Sequence, residues 1–186
     1  MGVFSWRHRY RLSKHILLKQ NSFGMMKNLH QELKSLSAAE LTTFVSDRYH
    51  APEKRNLSSL NQCFQFITPQ DIRNFPELTA IRTHFGEIRK LLQKHLADSA
   101  TLFFPAIRKN ANASFYQSGL RDQAHLLKLE ISKRFAEIRI LTHHYNAAEN
   151  ASPWIKLCYA LLHDLESDAN HHLFVEESIL PLKLGA

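Results

Sequence analysis

His172 and Glu176 stand four residues apart in the run Asn170-His-His-Leu-Phe-Val-Glu-Glu-Ser-Ile-Leu-Pro181 near the C-terminus. At helical pitch an imidazole and a carboxylate with that spacing lie one above the other on the same face. Counting backwards, Cys158, Leu162, Leu165, Ala169, His172, Glu176 and Ile179 alternate in steps of three and four. That is the seam of a helix packed against other helices. The two polar residues therefore occupy positions where apolar side chains are expected. Desolvating a charge alone costs on the order of several kcal/mol, so a buried pair must be matched by partners or bind a metal.

Other histidines fall on comparable seams. The apolar stripe Leu57, Leu60, Phe64 and Ile67, projected back by seven, passes through His50, with Glu53 in phase. A second stripe, Ile81, His84, Ile88, Leu92, His95, Ser99 and Leu102, carries His95, with Asp98 and Ser99 three and four residues after it. His84 lies roughly 16 Å along the helix axis from His95, too far to share a small site. In a third stripe, Leu120, Ala124, Leu127, Ile131, Phe135, Ile138 and Leu141, His125 flanks the apolar line. His143-His144 falls at a helix end, where imidazoles meet unpaired carbonyls and act as caps or surface groups.

These positions require helices to carry them. Ser37 with Glu40 forms a capping-box pattern ahead of Leu41, Phe44 and Val45, so a first helix starts there and runs to His50, where Pro52 kinks it or begins a fresh one. Thr68 to Pro76 reads as a loop. A second helix is predicted from about Glu77 to Phe104, ended by Pro105, and a third from about Ala113 to His144. Asn146 to Pro153 is a turn into the last helix, which Pro181 stops. Four long helices with short loops predict an all-α, up-down-up-down bundle over residues 38–186. In such a bundle one inward histidine per helix (His50, His95, His125 and His172), with Glu176, can meet at one level and enclose iron, which accepts imidazole and carboxylate together.

Composition narrows the setting. With 186 residues, 5 glycines and 6 prolines, the chain has the size of one helical domain. No apolar run is long enough to cross a bilayer. Cys63 and Cys158, both on apolar faces, read as reduced thiols of a cytoplasmic protein. The net charge of +7 is concentrated at the N-terminus, where Arg7, Arg9, Arg11, Lys14, Lys19 and Lys27 precede the first acid, Glu32. Residues 1–37 form a basic extension mixed with Phe4, Trp6 and Tyr10. It suits contact with nucleic acid or an anionic surface, a transit peptide, or a loosely docked leader.

Arg48-Tyr49-His50, His95 followed by Leu102-Phe-Phe-Pro105, His125 early in the third helix, and His172-Leu-Phe-Val-Glu176 resemble the hemerythrin-like di-iron domain. They are most similar to the RIC family (repair of iron centres, YtfE/ScdA type) over about residues 38–186. The resemblance implies a non-haem iron site at His50, His95, His125, His172 and Glu176. It also implies a role in repairing or protecting iron–sulfur clusters under nitrosative or oxidative stress, with O2 or NO as small ligands and iron–sulfur proteins as iron acceptors. Where the family carries a second bridging glutamate, this chain has Ser99. Asp98 and Glu53 are the candidate substitutes, leaving three states open: di-iron, mononuclear, or a metal-free bundle acting as a binding or regulatory module.

Overall fold

In a computed structural model the described residues are 35–109 and 113–184 together with Leu33, with backbone alone for 113–118. They are helical, with no strand among them. The basic segment 1–32 lies outside the described residues. No helix among those described is long and apolar enough to cross a membrane.

The chain from Ser37 onward forms one compact unit. α1 (Ala38–Val45) begins at Ser37, whose hydroxyl accepts from the Glu40 amide while the Glu40 carboxylate accepts from the Ser37 amide. α2 (Ala51–Gln65) follows. The predicted loop contains a short helix, α3 (Pro69–Asn74), because Thr68 and Asp71 form a second reciprocal cap. α4 (Glu77–Asp98), α5 (Phe104–Arg108), α6 (Ala113–Leu141), α7 (Pro153–Phe174) and α8 (Leu180–Leu184) complete the fold.

Pro105 and Pro181 do not stop the chain's helical course as the sequence reading expected, and Pro52 stands in the first turn of a fresh helix, one of the two outcomes expected for it. Three π-turns, Ser46–His50, Ser99–Phe103 and Val175–Ile179, join α1 to α2, α4 to α5 and α7 to α8. Each is followed by a residue whose amide bonds five residues back: Ala51 to Ser46, Phe104 to Ser99 and Leu180 to Val175. Pro52, Pro105 and Pro181 come next, each six residues after its π-turn begins. A proline ring would strike the carbonyl four residues earlier in a regular helix. Widening the preceding turn by one residue moves that carbonyl aside, and the helix continues. Wide turns of this kind concentrate at functional sites.

α4 packs along α6 and α2 along α7, with further contacts of α6 with α7 and α2 with α4. Leu57, Leu60, Phe64, Ile81, Ile88, Leu92, Ile131, Phe135, Ile138, Leu162 and Leu165 fill the space between them. Each such side chain contributes roughly 1.5–3 kcal/mol by leaving water. α6 ends three residues earlier than predicted. His143, His144 and Tyr145 take left-handed backbone angles (φ 48°, 59° and 65°), and the His144 amide reaches back to the Arg139 carbonyl at 2.7 Å. The Tyr145 hydroxyl donates to Glu166 at 2.6 Å, which ties this turn to α7 and offsets its backbone strain.

Candidate metal centre

All three π-turns border one cluster of buried polar side chains. His50 ends the first turn, Ser99 opens the second one helical turn beyond His95, and Glu176 sits in the third one turn beyond His172. His50, His95, His172 and Glu176 are buried, and one potential ligand atom from each lies within 4.8 Å of all the others.

The contacts define which atoms face inward. His50 Nε2 is 3.1 Å from Glu176 Oε1, and His95 Nε2 is 2.7 Å from Glu176 Oε2. His172 Nε2 stands 3.1 Å from His95 Nε2 and 3.8 Å from Glu176 Oε2. A metal with bonds of about 2.1 Å has ligand–ligand edges of about 3.0–3.4 Å, within the span of these distances. Glu176 Oε2, close as it is to His95, has no aligned hydrogen-bond donor. A buried carboxylate oxygen in that state fits a cation better than a hydrogen-bonded core.

The outer nitrogens are held from behind. His172 Nδ1 lies 2.6 Å from Glu53 Oε1. His95 Nδ1 faces Gln123 Oε1 at 3.4 Å, while the Gln123 amide nitrogen donates to Asp98. That donation orients the amide, so its oxygen is the atom turned to His95. With their Nδ1 protons directed outward, both rings turn Nε2 lone pairs towards one another. Two lone pairs 3.1 Å apart repel unless a cation, a proton or a metal ion, lies against both.

The charges agree with that requirement. Burial would raise the Glu176 carboxyl, but His95, His50 and His172 hold it far below the usual carboxylate range. Burial opposes protonation of His172, yet Glu53 and then Glu176 outweigh it and lift this imidazole above its ordinary value. His50 moves the other way, because burial outweighs its contact with Glu176. In the absence of metal, a proton held among the imidazoles takes the place a cation would fill.

The structure brings together four of the predicted residues and leaves others apart. His125 is exposed, with Nδ1 2.7 Å from Glu177 Oε1, and Lys128 holds the other oxygen of Glu177 at 2.8 Å. Asp98 points towards the surface, bound to Lys94 and Gln123. Ser99 is fully buried, and its hydroxyl has no hydrogen-bond partner. Glu53 is fully buried, but it meets the outer edge of His172. Gln123 was not singled out in the sequence. Its position one residue before Ala124 of the α6 stripe was the available signal.

No family model matches the chain. Among curated proteins it is similar to the iron-sulfur cluster repair protein ScdA of Staphylococcus haemolyticus (strain JCSC1435). The two are 23% identical over 155 residues, covering 80% of this chain and 68% of that protein. This weak likeness supports the relation to iron–sulfur cluster repair proteins that the sequence motifs suggested.

Proposed function

We propose that this chain is a hemerythrin-like, up-down-up-down four-helix bundle over residues 38–186. It holds one non-haem iron ion at His50, His95, His172 and Glu176. The observation that carries this reading is the pair of Nε2 atoms 3.1 Å apart beside a carboxylate oxygen that has no aligned hydrogen-bond donor, although His95 Nε2 lies 2.7 Å away. Three imidazoles and one carboxylate form a donor set that ferrous iron accepts, and the likeness to an iron–sulfur cluster repair protein favours iron over other metals that imidazole binds. Iron held by these residues would supply a centre able to bind a small ligand such as O2 or NO. The protein's own groups fix the imidazoles, keep Glu176 ionised and exclude bulk water. Together with the likeness to an iron–sulfur cluster repair protein, the site supports a cytoplasmic role in protecting or repairing such clusters, with iron–sulfur proteins as acceptors.

One ion is proposed rather than two for three reasons. Ser99 offers a neutral hydroxyl, His125 lies outside with Glu177, and Asp98 is bound by Lys94 and Gln123. The same departures favour a second reading, a metal-free bundle that keeps its histidines as packing and acts as a binding or regulatory module. Metal analysis of untagged protein from iron-supplemented cells, with its absorption spectrum, separates the two. About one iron per chain is expected. Two irons with oxo-bridge bands would establish a di-iron site, and a well-folded chain without metal would overturn the iron reading in favour of the second.

A further inference from the structure

We propose that Glu53 is a positioning residue that keeps a proton on Nδ1 of His172 and so commits Nε2 of that ring to the metal. The inference deepens the one-ion reading and rests on it for its consequence, though not for its geometry. Glu53 and His172 come from α2 and α7, 119 residues apart, are both fully buried, and meet at 2.6 Å. The contact is to the ring nitrogen remote from the cluster, because Nε2 is the atom facing His95 and Glu176. A carboxylate behind an imidazole fixes its tautomer and ring orientation and raises its basicity as a ligand.

Packing alone does not account for this residue. A buried carboxylate costs stability unless it is paired, and Glu53 Oε2 has no hydrogen-bond partner. An apolar side chain would fill the place at less cost. What Glu53 adds is direction. His50 and Glu53 are three residues apart, so the junction of the first π-turn with α2 places one imidazole in the cluster and aligns another that belongs to α7. His95 has only the neutral Gln123 oxygen in the equivalent place, at 3.4 Å. His172 is therefore the more strongly held of the two facing rings.

The test uses the full chain, its Glu53→Gln and Glu53→Ala variants, and ferrous iron alone. Nitrogen-15 NMR of the metal-free wild type should show Nδ1 of His172 protonated. That proton should persist in Glu53→Gln, whose amide oxygen still accepts it, and be lost or shared with Nε2 in Glu53→Ala. Iron affinity by chelator competition should fall about 100-fold in Glu53→Ala and about tenfold in Glu53→Gln, the range found for partners behind metal-bound imidazoles. An unprotonated Nδ1 in the wild type, or an Ala variant with unchanged Nδ1 and unchanged affinity, overturns the proposal. If Glu53→Ala does not fold, the isosteric Gln variant decides: the positioning role requires its smaller loss of affinity with Nδ1 still protonated. A wild type that binds no iron, yet loses the Nδ1 proton in Glu53→Ala, overturns the one-ion reading while upholding the orienting role of Glu53.

Discussion

The same three helices run through two regions of opposite chemistry. Along α2, α4 and α7, the stretches Leu57–Phe64, Ile81–Leu92 and Cys158–Leu165 line an apolar core. Further along the same seams, the inward positions become His50 and Glu53, His95 and Ser99, His172 and Glu176. Helical phase is unchanged between the two, so the difference lies in which side chains the seam carries. Even the thiols follow the local environment. At the apolar end the hydrogen bond that the Cys158 thiol donates to Cys63, together with burial, holds this thiol far above its ordinary range, as an inert core group. A polar cluster in a seam that could be apolar gives up stability, since well-packed hydrophobic residues often replace buried ions at no cost. The π-turns mark where that exchange is made. The apolar region holds the helices together, and the polar region uses the rigidity this provides.

The largest effect should come from breaking the polar region at its centre. His172→Ala removes the ring that faces His95 and Glu176. Iron affinity should drop by more than the roughly 10–100-fold that changes to outer partners produce. Wild type should melt higher with ferrous iron than without it, and the variant should show no such difference. Leu162→Ala is the counterpart in the apolar region, where Leu162 is completely buried. It should destabilise the chain by about 2–5 kcal/mol, with and without iron alike, while iron stoichiometry stays unchanged in the folded protein. Denaturant titrations of both variants, with and without metal, check the division. Equal responses to iron in the two would mean that the regions are not functionally distinct.

Acid sharpens the contrast further. Glu176 has a folded-state value depressed below its ordinary one. Its stabilising pairing is therefore present above about pH 4.5 and lost as pH falls towards the folded value. His172 is raised, so its contribution in the metal-free chain is complete below about pH 6.5 and lost as pH rises through its folded value. His50 is lowered and works against it, because only the unfolded chain takes up that proton near pH 6.5. The two histidines oppose one another near neutrality, and Glu176 adds a loss of stability of its own below about pH 4.5. Metal must displace the proton on Nε2 of His172, leaving the one on Nδ1, so iron affinity should weaken by up to about tenfold per unit as pH falls below the raised value. Chelator competition at pH 6, 7 and 8 tests this; a flat profile would show that no proton is exchanged for metal.

Much of this arrangement was legible because burial follows helical phase. His50, His95, His172 and Glu176 lie on three-four stripes, and the structure buries all four. The register of His172 with Glu176, rather than His171 with Val175, follows from Ala169 and Leu165 on the same line. Partners across helices were not legible, since phase says which way a residue faces and not what it meets. Glu53 was in phase, yet its contact with the outer nitrogen of His172 depends on how α2 and α7 dock. The wide turns left a readable trace in three prolines at equal offsets. Reading Pro105 and Pro181 as helix stops, and Pro52 as a kink or fresh start, concealed it, because a proline clashes within a regular helix and a π-turn makes room for it.

His125 is the sharpest case, and it yields the smallest predicted effect. It follows Ala124, the buried member of the α6 stripe, by one residue, which turns it about 100° away from the core. There it meets Glu177, the neighbour of Glu176, with Lys128 on the other oxygen. Its side chain is 55% exposed, so this pairing is screened by water and worth at most about 1 kcal/mol. His125→Ala should therefore leave iron stoichiometry at one, shift affinity by less than about threefold, and lower stability by under about 1 kcal/mol. Glu177→Gln should do much the same, because it removes the same surface pairing from the other side. A loss of iron on His125→Ala comparable to that of His172→Ala would mean that α6 turns its imidazole inward when metal binds. It would then move His125 from the surface into the ligand set.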